Sequence, residues 1–226
     1  MSTIETRRAG WERFVPLTGL LAVVLWIVGV AVFESESVPD EDEGAQLLVQ
    51  HYEENSGTII AGAFLFMLGV AAFVWFLGSI RARFLTAEGG VAKLTAVVFG
   101  TGLLTAAMGM GFVAPEAAAA FSSQEVEIDL EAGAVQALSL LSDGFFIAGE
   151  AAVAGFFLAV GLAILRTRAF PVWLGWVSLL FGVAALIPWV GWAVFIWGLP
   201  LWVLVTSIWL FLRKDDRAVE TRTVAT

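Results

Sequence analysis

Apolar residues in this chain come in long unbroken runs, without the alternation of a half-buried strand or the stripe of a soluble helix. Val15 to Phe33, Thr58 to Ile80 and Leu94 to Val113 are three such runs, and a fourth ends at Leu165 before "RTR". Each is long enough to cross a ~30 Å hydrocarbon core as a helix, and none keeps a polar face. From Val172 to Leu212 there are 41 residues without one charge. As a single helix that run would be about 60 Å long, twice the core, so it must fold back on itself. "IPWVGW" at 187–192 is the expected break, because proline and glycine interrupt helices and tryptophan favours the interface. Pro200 is expected to kink the last span. The pattern predicts one all-α domain, a six-helix transmembrane bundle spanning about 15–33, 58–80, 94–113, 144–165, 172–187 and 193–212.

The first run, at 19 residues, exceeds the ~7–15-residue core of a signal peptide and ends in "VAVFESES" with no small-residue cleavage site. It reads as a retained span.

Charge then orients the bundle. Arg7, Arg8 and Arg13 precede the first span; Arg81, Arg83 and Lys93 lie between the second and third. Arg166 and Arg168 lie between the fourth and fifth, and Arg213, Lys214, Arg217 and Arg222 follow the sixth. Those are all 12 basic residues, and six spans put every one on the same side. The positive-inside rule makes both termini cytoplasmic. The outer loops, 34–57 and 114–132, carry 13 Asp and Glu instead. Within the first, Ala45, Leu48, Val49 and Tyr52 fall at helical spacing and predict a short helix lying on the outer membrane surface.

Composition agrees with this picture and removes several chemistries. Hydrophobic residues make up 59% of the 226 and charged ones 15%, far from the balance of a soluble domain. There is no cysteine, so disulfides, thiolate metal sites and thiol nucleophiles are excluded. The absence of a basic patch argues against nucleic acid as a partner. The partners expected are the lipid bilayer and, for so few spans, a homo-oligomer or other membrane proteins.

The chemistry worth weighing is a pair of carboxylates on the fourth span, in "LSLLSDGFFIAGEAAVAGFFLAV" (138–160). Counting from Arg166, Glu150 lies about 24 Å and Asp143 about 34 Å above that level, which places Asp143 at the headgroup boundary and Glu150 inside the hydrocarbon. The two are seven residues apart and share a helix face, which Ser139 extends. No Lys or Arg lies within any span, so a buried ion pair is excluded by inventory. Counting to the same depth elsewhere lands near Gly29, Leu65, Gly109, Ala184 and Trp197, with Thr105 about one turn deeper. The expectation is a polar funnel ending at Glu150, a candidate ion or proton site with Asp143; a hydrogen-bonded carboxyl serving packing is the competing reading. Gly102 and Gly109, seven apart, predict close helix packing. "PDEDE" (39–43) lacks the spaced ligands and central glycine of a calcium loop and reads as a solvated acidic run. His51, alone on the outer surface, is a poor metal or haem ligand, and no cofactor or metal is expected.

No G-x-S-x-G or H-E-x-x-H is present and no base adjoins an intramembrane hydroxyl, so an enzyme is disfavoured. Two classes remain open. One is a small proton- or cation-linked transporter or channel using the carboxylate of the fourth span. The other is a non-catalytic accessory, sensor or structural subunit of a membrane complex. "FPVWLGWVSLL" (170–180), preceded by "RTR" and closed by "LWVLVTSIWLFLRK" (201–214), resembles bacterial, particularly actinobacterial, six-span membrane proteins of unknown function. The resemblance implies a bacterial plasma membrane and no activity.

Overall fold

The computed structural model describes residues 14–35, 45–89, 92–124 and 131–224, the side chains of Ala45 and of 214–224 excepted. Among these the architecture is helical throughout. A single 3-10 turn, Val15–Leu17, leads into α1 (Thr18–Phe33), followed by α2 (Ala45–Ala87), α3 (Lys93–Ser122), α4 (Ala132–Thr167) and α5 (Val172–Ala184). α6 (Pro188–Ala193) runs through a π-helical turn (Val194–Gly198) into α7 (Leu199–Val224) without interruption. Five stretches are long and apolar enough to cross a membrane: Val15–Phe33, Gln46–Ala87, Lys93–Ser122, Ala132–Thr167 and Pro188–Arg213. The fifth apolar segment is shorter, since α5 has only 13 residues. Arg7, Arg8, Arg13, the "PDEDE" run and most of "VEIDLE" lie outside the described residues, as do the side chains of Lys214, Arg217 and Arg222.

α1 packs on α2, α2 on α3, α3 on α4 and α4 on α5, while α7 returns to α1 and closes the bundle. α2 and α4 also meet, and the aromatic core forms around them. Phe73 and Phe156 stack edge-on at 6.2 Å, and Trp202 of α7 stands edge-on to Phe156 and Phe157 at 5.6 and 5.9 Å. Its indole N–H donates to Ser178 Oγ at 3.0 Å. Among the described residues, the buried side-chain atoms left without a hydrogen bond are Trp26 Nε1 and Thr206 Oγ1. The outward faces carry exposed Phe64, Trp75, Ile147, Trp176 and Leu180. A belt of that kind is built for lipid, because water would make such contiguous apolar surface costly.

Three expectations need correction. α2 does not break between the predicted surface helix and the second span: it is one helix of 43 residues. Likewise, "PEAAAAFSS" in the predicted second loop is the end of α3, with Pro115 inside it. Hydropathy stops counting where the polar residues begin, but the helices continue because they still have a partner. Leu48, Tyr52 and Ile59 of α2 pack on Ala119 and Ala120 of α3 and Val135 of α4, a second small core beyond the main one. The last apolar run does fold back, but earlier than expected: the turn residues are 185–187, and 188–192, the rest of "IPWVGW", is already helical, with Pro188 at the first position of α6 where its missing N–H is no loss. The π-helical turn sits immediately before Pro200, whose ring nitrogen has no proton to donate, and a widened turn is one way for a helix to absorb that loss.

The charged residues segregate to opposite ends. At one end Arg83 Nε donates to the Ala169 carbonyl at 2.9 Å, and the guanidinium groups of Arg83 and Arg213 lie 5.3 and 5.0 Å from the Trp209 ring. There Glu88 accepts hydrogen bonds from Leu94 N at 3.0 Å and Thr95 N at 2.9 Å, and from the Thr95 hydroxyl. These satisfy donors that the first turn of α3 leaves open. The Thr95 hydroxyl, then the backbone bonds, hold the Glu88 carboxyl below the ordinary carboxylate range. A depressed folded-state value means that Glu88 stabilises above the ordinary carboxylate pKa and ceases to do so as pH falls through the lowered one. Glu88→Ala is therefore expected to lower the melting temperature at pH 7, with the difference from wild type closing in acid; thermal unfolding across pH 3–7 reads it.

Candidate functional site

The carboxylates flagged in the sequence fall in two different environments. Glu150 is half-buried, and its carboxylate lies against Gly191 of α6. A methyl group built on Gly191 would meet Glu150 Oε2 at 2.7 Å and the Ala185 carbonyl at 2.9 Å, so the missing side chain makes room for the acid. Ala184, placed at its depth by counting, is indeed the last residue of α5. Asp143 shares that face of α4 two turns further along and is exposed. It faces a cluster that the sequence reading missed.

That cluster joins three helices. The Tyr52 hydroxyl of α2 donates to Glu116 Oε2 of α3, the tyrosine buried and the acid half-buried, and Asp143 of α4 is near enough to act electrostatically on each. Ser139 and Ser142 of α4 lie within hydrogen-bonding range of the Glu116 carboxylate, and the Ser142 hydroxyl donates to the Phe112 carbonyl. The Ser123 hydroxyl donates to the Tyr52 carbonyl at 3.2 Å, tying α3 to α2 again. His51, expected on the surface, is buried: its ring is edge-on to Tyr52 at 5.7 Å and its Nδ1 lies 3.3 Å from Asn55 Nδ2. The sign available in the sequence was that the chain's single tyrosine is the helical-spacing partner of Leu48, at the level where "PE" follows the third apolar run. Among the described residues no group of three or more His, Asp or Glu is arranged to hold a metal ion.

Thr105, Gly109 and Trp197 belong elsewhere. With α1, α2 and the π-helical turn they wall a cavity of about 430 Å³, of which Glu150, Asp143 and Ser139 are not part. Its α1 wall runs from Trp26 to Glu34, its α3 wall from Thr105 to Phe112, and its third wall from Trp192 through Phe195 and Trp197 to Pro200. Each wall spans eight or nine residues, which gives one consistent depth of about 12 Å. Phe66, Val70 and Phe73 of α2 form the back, and Phe146 of α4 closes one side. Gly109 helps to make the space: a methyl group there would meet nothing nearer than Phe66 at 3.7 Å. By contrast Gly102 packs tightly, with Leu77 at 2.8 Å from such a methyl. α1 and α7 meet at the basic end, where the Ser207 hydroxyl donates to the Pro16 carbonyl at 2.6 Å. Toward the acidic end Ile27, Ala31, Ile196 and Trp197 are all exposed although they line the cavity, which marks a side opening between α1 and the α6–α7 wall.

Its chemistry is simple. Thr105 and Glu34 are the polar residues among the lining, and the Thr105 hydroxyl already donates to the Thr101 carbonyl at 3.0 Å. No acid or base among the lining residues adjoins that hydroxyl; the one carboxylate-bearing residue of the lining, Glu34, lies on the α1 side. No protein-family model, curated protein or solved structure matches the chain.

Proposed function

We propose that this is a six-span protein of a bacterial plasma membrane, with both termini cytoplasmic, that takes an apolar molecule sideways out of the bilayer into the cavity. The observation that carries the reading is the cavity itself. At about 430 Å³ it has the size of a small-molecule site, and it is apolar, largely pre-formed and open towards lipid. The π-helical turn in its wall is a second support, since such turns gather at functional positions. The topology rests on the segregation of charge: Arg81, Arg83, Arg166 and Arg213 at one end, Glu53, Glu54, Glu116 and Asp143 at the other. A molecule so held is passed on or sensed, which makes the protein a small transporter or a ligand-dependent accessory subunit.

The test uses the full-length protein in phosphatidylcholine nanodiscs with a neutral, polarity-sensitive naphthylamine dye excited through the tryptophans. Saturable binding above that of empty nanodiscs is expected. Gly109→Phe, which fills the cavity, should remove it, and Glu54→Gln should leave it unchanged. Binding indifferent to Gly109→Phe in a folded protein would refute the reading.

A second reading, proton or cation passage through Glu150, has its own observation: among the described residues no hydrogen bond reaches that half-buried carboxylate. Exposed Trp189 and Trp192 of α6, on either side of Gly191, support a place for it near the outer edge of the hydrocarbon. Single cysteines decide the matter under a membrane-impermeant thiol reagent. With Ser122→Cys reacting as a control, Glu150→Cys is expected to react and Ala154→Cys, fully buried, to stay silent. Reaction at both would mean a water-filled path and favour ion passage.

A further inference from the structure

Resting on the reading of the cavity as a site for an apolar molecule, we infer that its ligand is a lipophilic organic cation, seated among the aromatic rings with its charge towards Glu34. Three observations point to it. First, the lining contains one ionisable group, Glu34, and it is an acid; no Lys, Arg or His takes part. Glu34 follows the last residue of α1 and is held by its backbone N–H, which donates to the Val30 carbonyl at 2.8 Å. The carboxylate thus marks one end of the cavity and leaves the other end uncharged.

Second, eight of the nineteen lining residues are aromatic. Trp26, Phe66 and Phe73 form the inner part, and Trp192, Phe195 and Trp197 the wall across from α1. Ring faces carry the negative part of the aromatic quadrupole, so a delocalised cation gains from them where a small hydrated one would not repay its lost water. Saturated lipid chains gain nothing comparable, and aliphatic residues would have served them as well. Third, Glu116 of α3 and Asp143 of α4, the ionisable residues described on those helices at the end of the bundle where Glu34 lies, are acids. An anionic amphiphile would be repelled there and a cationic one attracted.

The probe is tetraphenylphosphonium, compared with its uncharged isostere tetraphenylsilane, each displacing the neutral dye from wild-type protein in phosphatidylcholine nanodiscs. The cation is expected to displace the dye saturably and at concentrations about tenfold below the silane. Glu34→Gln should weaken displacement by the cation about tenfold relative to displacement by the silane. The exposed position of Glu34 makes that variant safe for folding, and elution as a single species checks it. Glu54→Gln should change nothing. Equal displacement by cation and silane, failure of the cation to displace, or indifference to Glu34→Gln would overturn the inference while the cavity keeps its apolar ligand. Absence of saturable dye binding to wild type would instead overturn the reading on which it rests.

Discussion

Replacing Gly62 with leucine is expected to abolish accumulation of folded protein in the membrane. Of the glycines along the helices, Gly62 tolerates a side chain least: an added Cβ would fall 2.5 Å from Phe33 N, 2.8 Å from Phe33 Cα and 2.8 Å from the Gly29 carbonyl. Gly29 faces it from α1, and a methyl there would fall 2.7 Å from Phe66 N. These are backbone atoms, which cannot swing aside as a side-chain end can. Inserting a leucine must push α1 from α2 along their whole crossing. Association of helices in lipid rests on close packing, because there is no water to expel between them. Overpacking costs about 1–3 kcal/mol where side chains can yield, and the cost here lies above that range because backbone must move. Gly78→Leu, at a position with nothing within 4 Å, is the control and should cost little. The yield of monodisperse protein by fluorescence-detected gel filtration reads both; near-equal yields would disprove the crossing.

The second large effect is expected at Trp202. This residue is 2% exposed and packs edge-on against Phe156 and Phe157, with Ser178 taking its indole proton. Trp202→Ala leaves a hole between α4, α5 and α7 and should cost about 3–5 kcal/mol. In lipid most of that is lost dispersion contact, since the side chain leaves one apolar surrounding for another. Trp202→Phe keeps a ring and gives up the hydrogen bond, so its cost should be nearer 1–2 kcal/mol. Ser178→Ala leaves the buried indole N–H unpaired and should cost about 1–3 kcal/mol. Unfolding by graded denaturing detergent gives the order; Trp202→Ala no worse than Trp202→Phe would contradict the packing described.

Both predictions depend on contacts that hydropathy cannot register, and that is where the sequence stopped being informative. The apolar runs, the need for the last of them to fold back and the grouping of arginines could be read because each is a one-dimensional property of the chain. The lengths of α2 and α3 could not. Their continuation depends on Tyr52 finding Glu116 and Leu48 finding Ala119, pairings between residues over sixty positions apart. Counting residues from Arg166 put Ala184 level with Glu150; Ala184 is the last residue of α5, one place before the Ala185 carbonyl that borders Gly191 together with Glu150. Depth without rotation, however, could not separate Thr105 and Trp197, which line the cavity, from Glu150, whose carboxylate lies by Gly191 of α6. Gly102 and Gly109 looked alike in the sequence, yet one packs on Leu77 and the other borders empty space. Glu34 escaped notice because an acid just beyond an apolar run reads as a solvated end. Only the convergence of α1, α3 and the α6–α7 wall gives it a site.

The measurement that tests the central claim most directly is photolabelling in native membranes. A neutral aromatic probe carrying a diazirine would be activated in place and its adducts located by peptide mass spectrometry. The account predicts adducts concentrated on cavity residues such as Trp26, Thr105 and Phe195, suppressed by excess unlabelled probe and lost in Gly109→Phe. Adducts spread over the lipid-facing belt at Trp75, Trp176 and Leu180, with none at Trp26 or Thr105 and no competition, would contradict it.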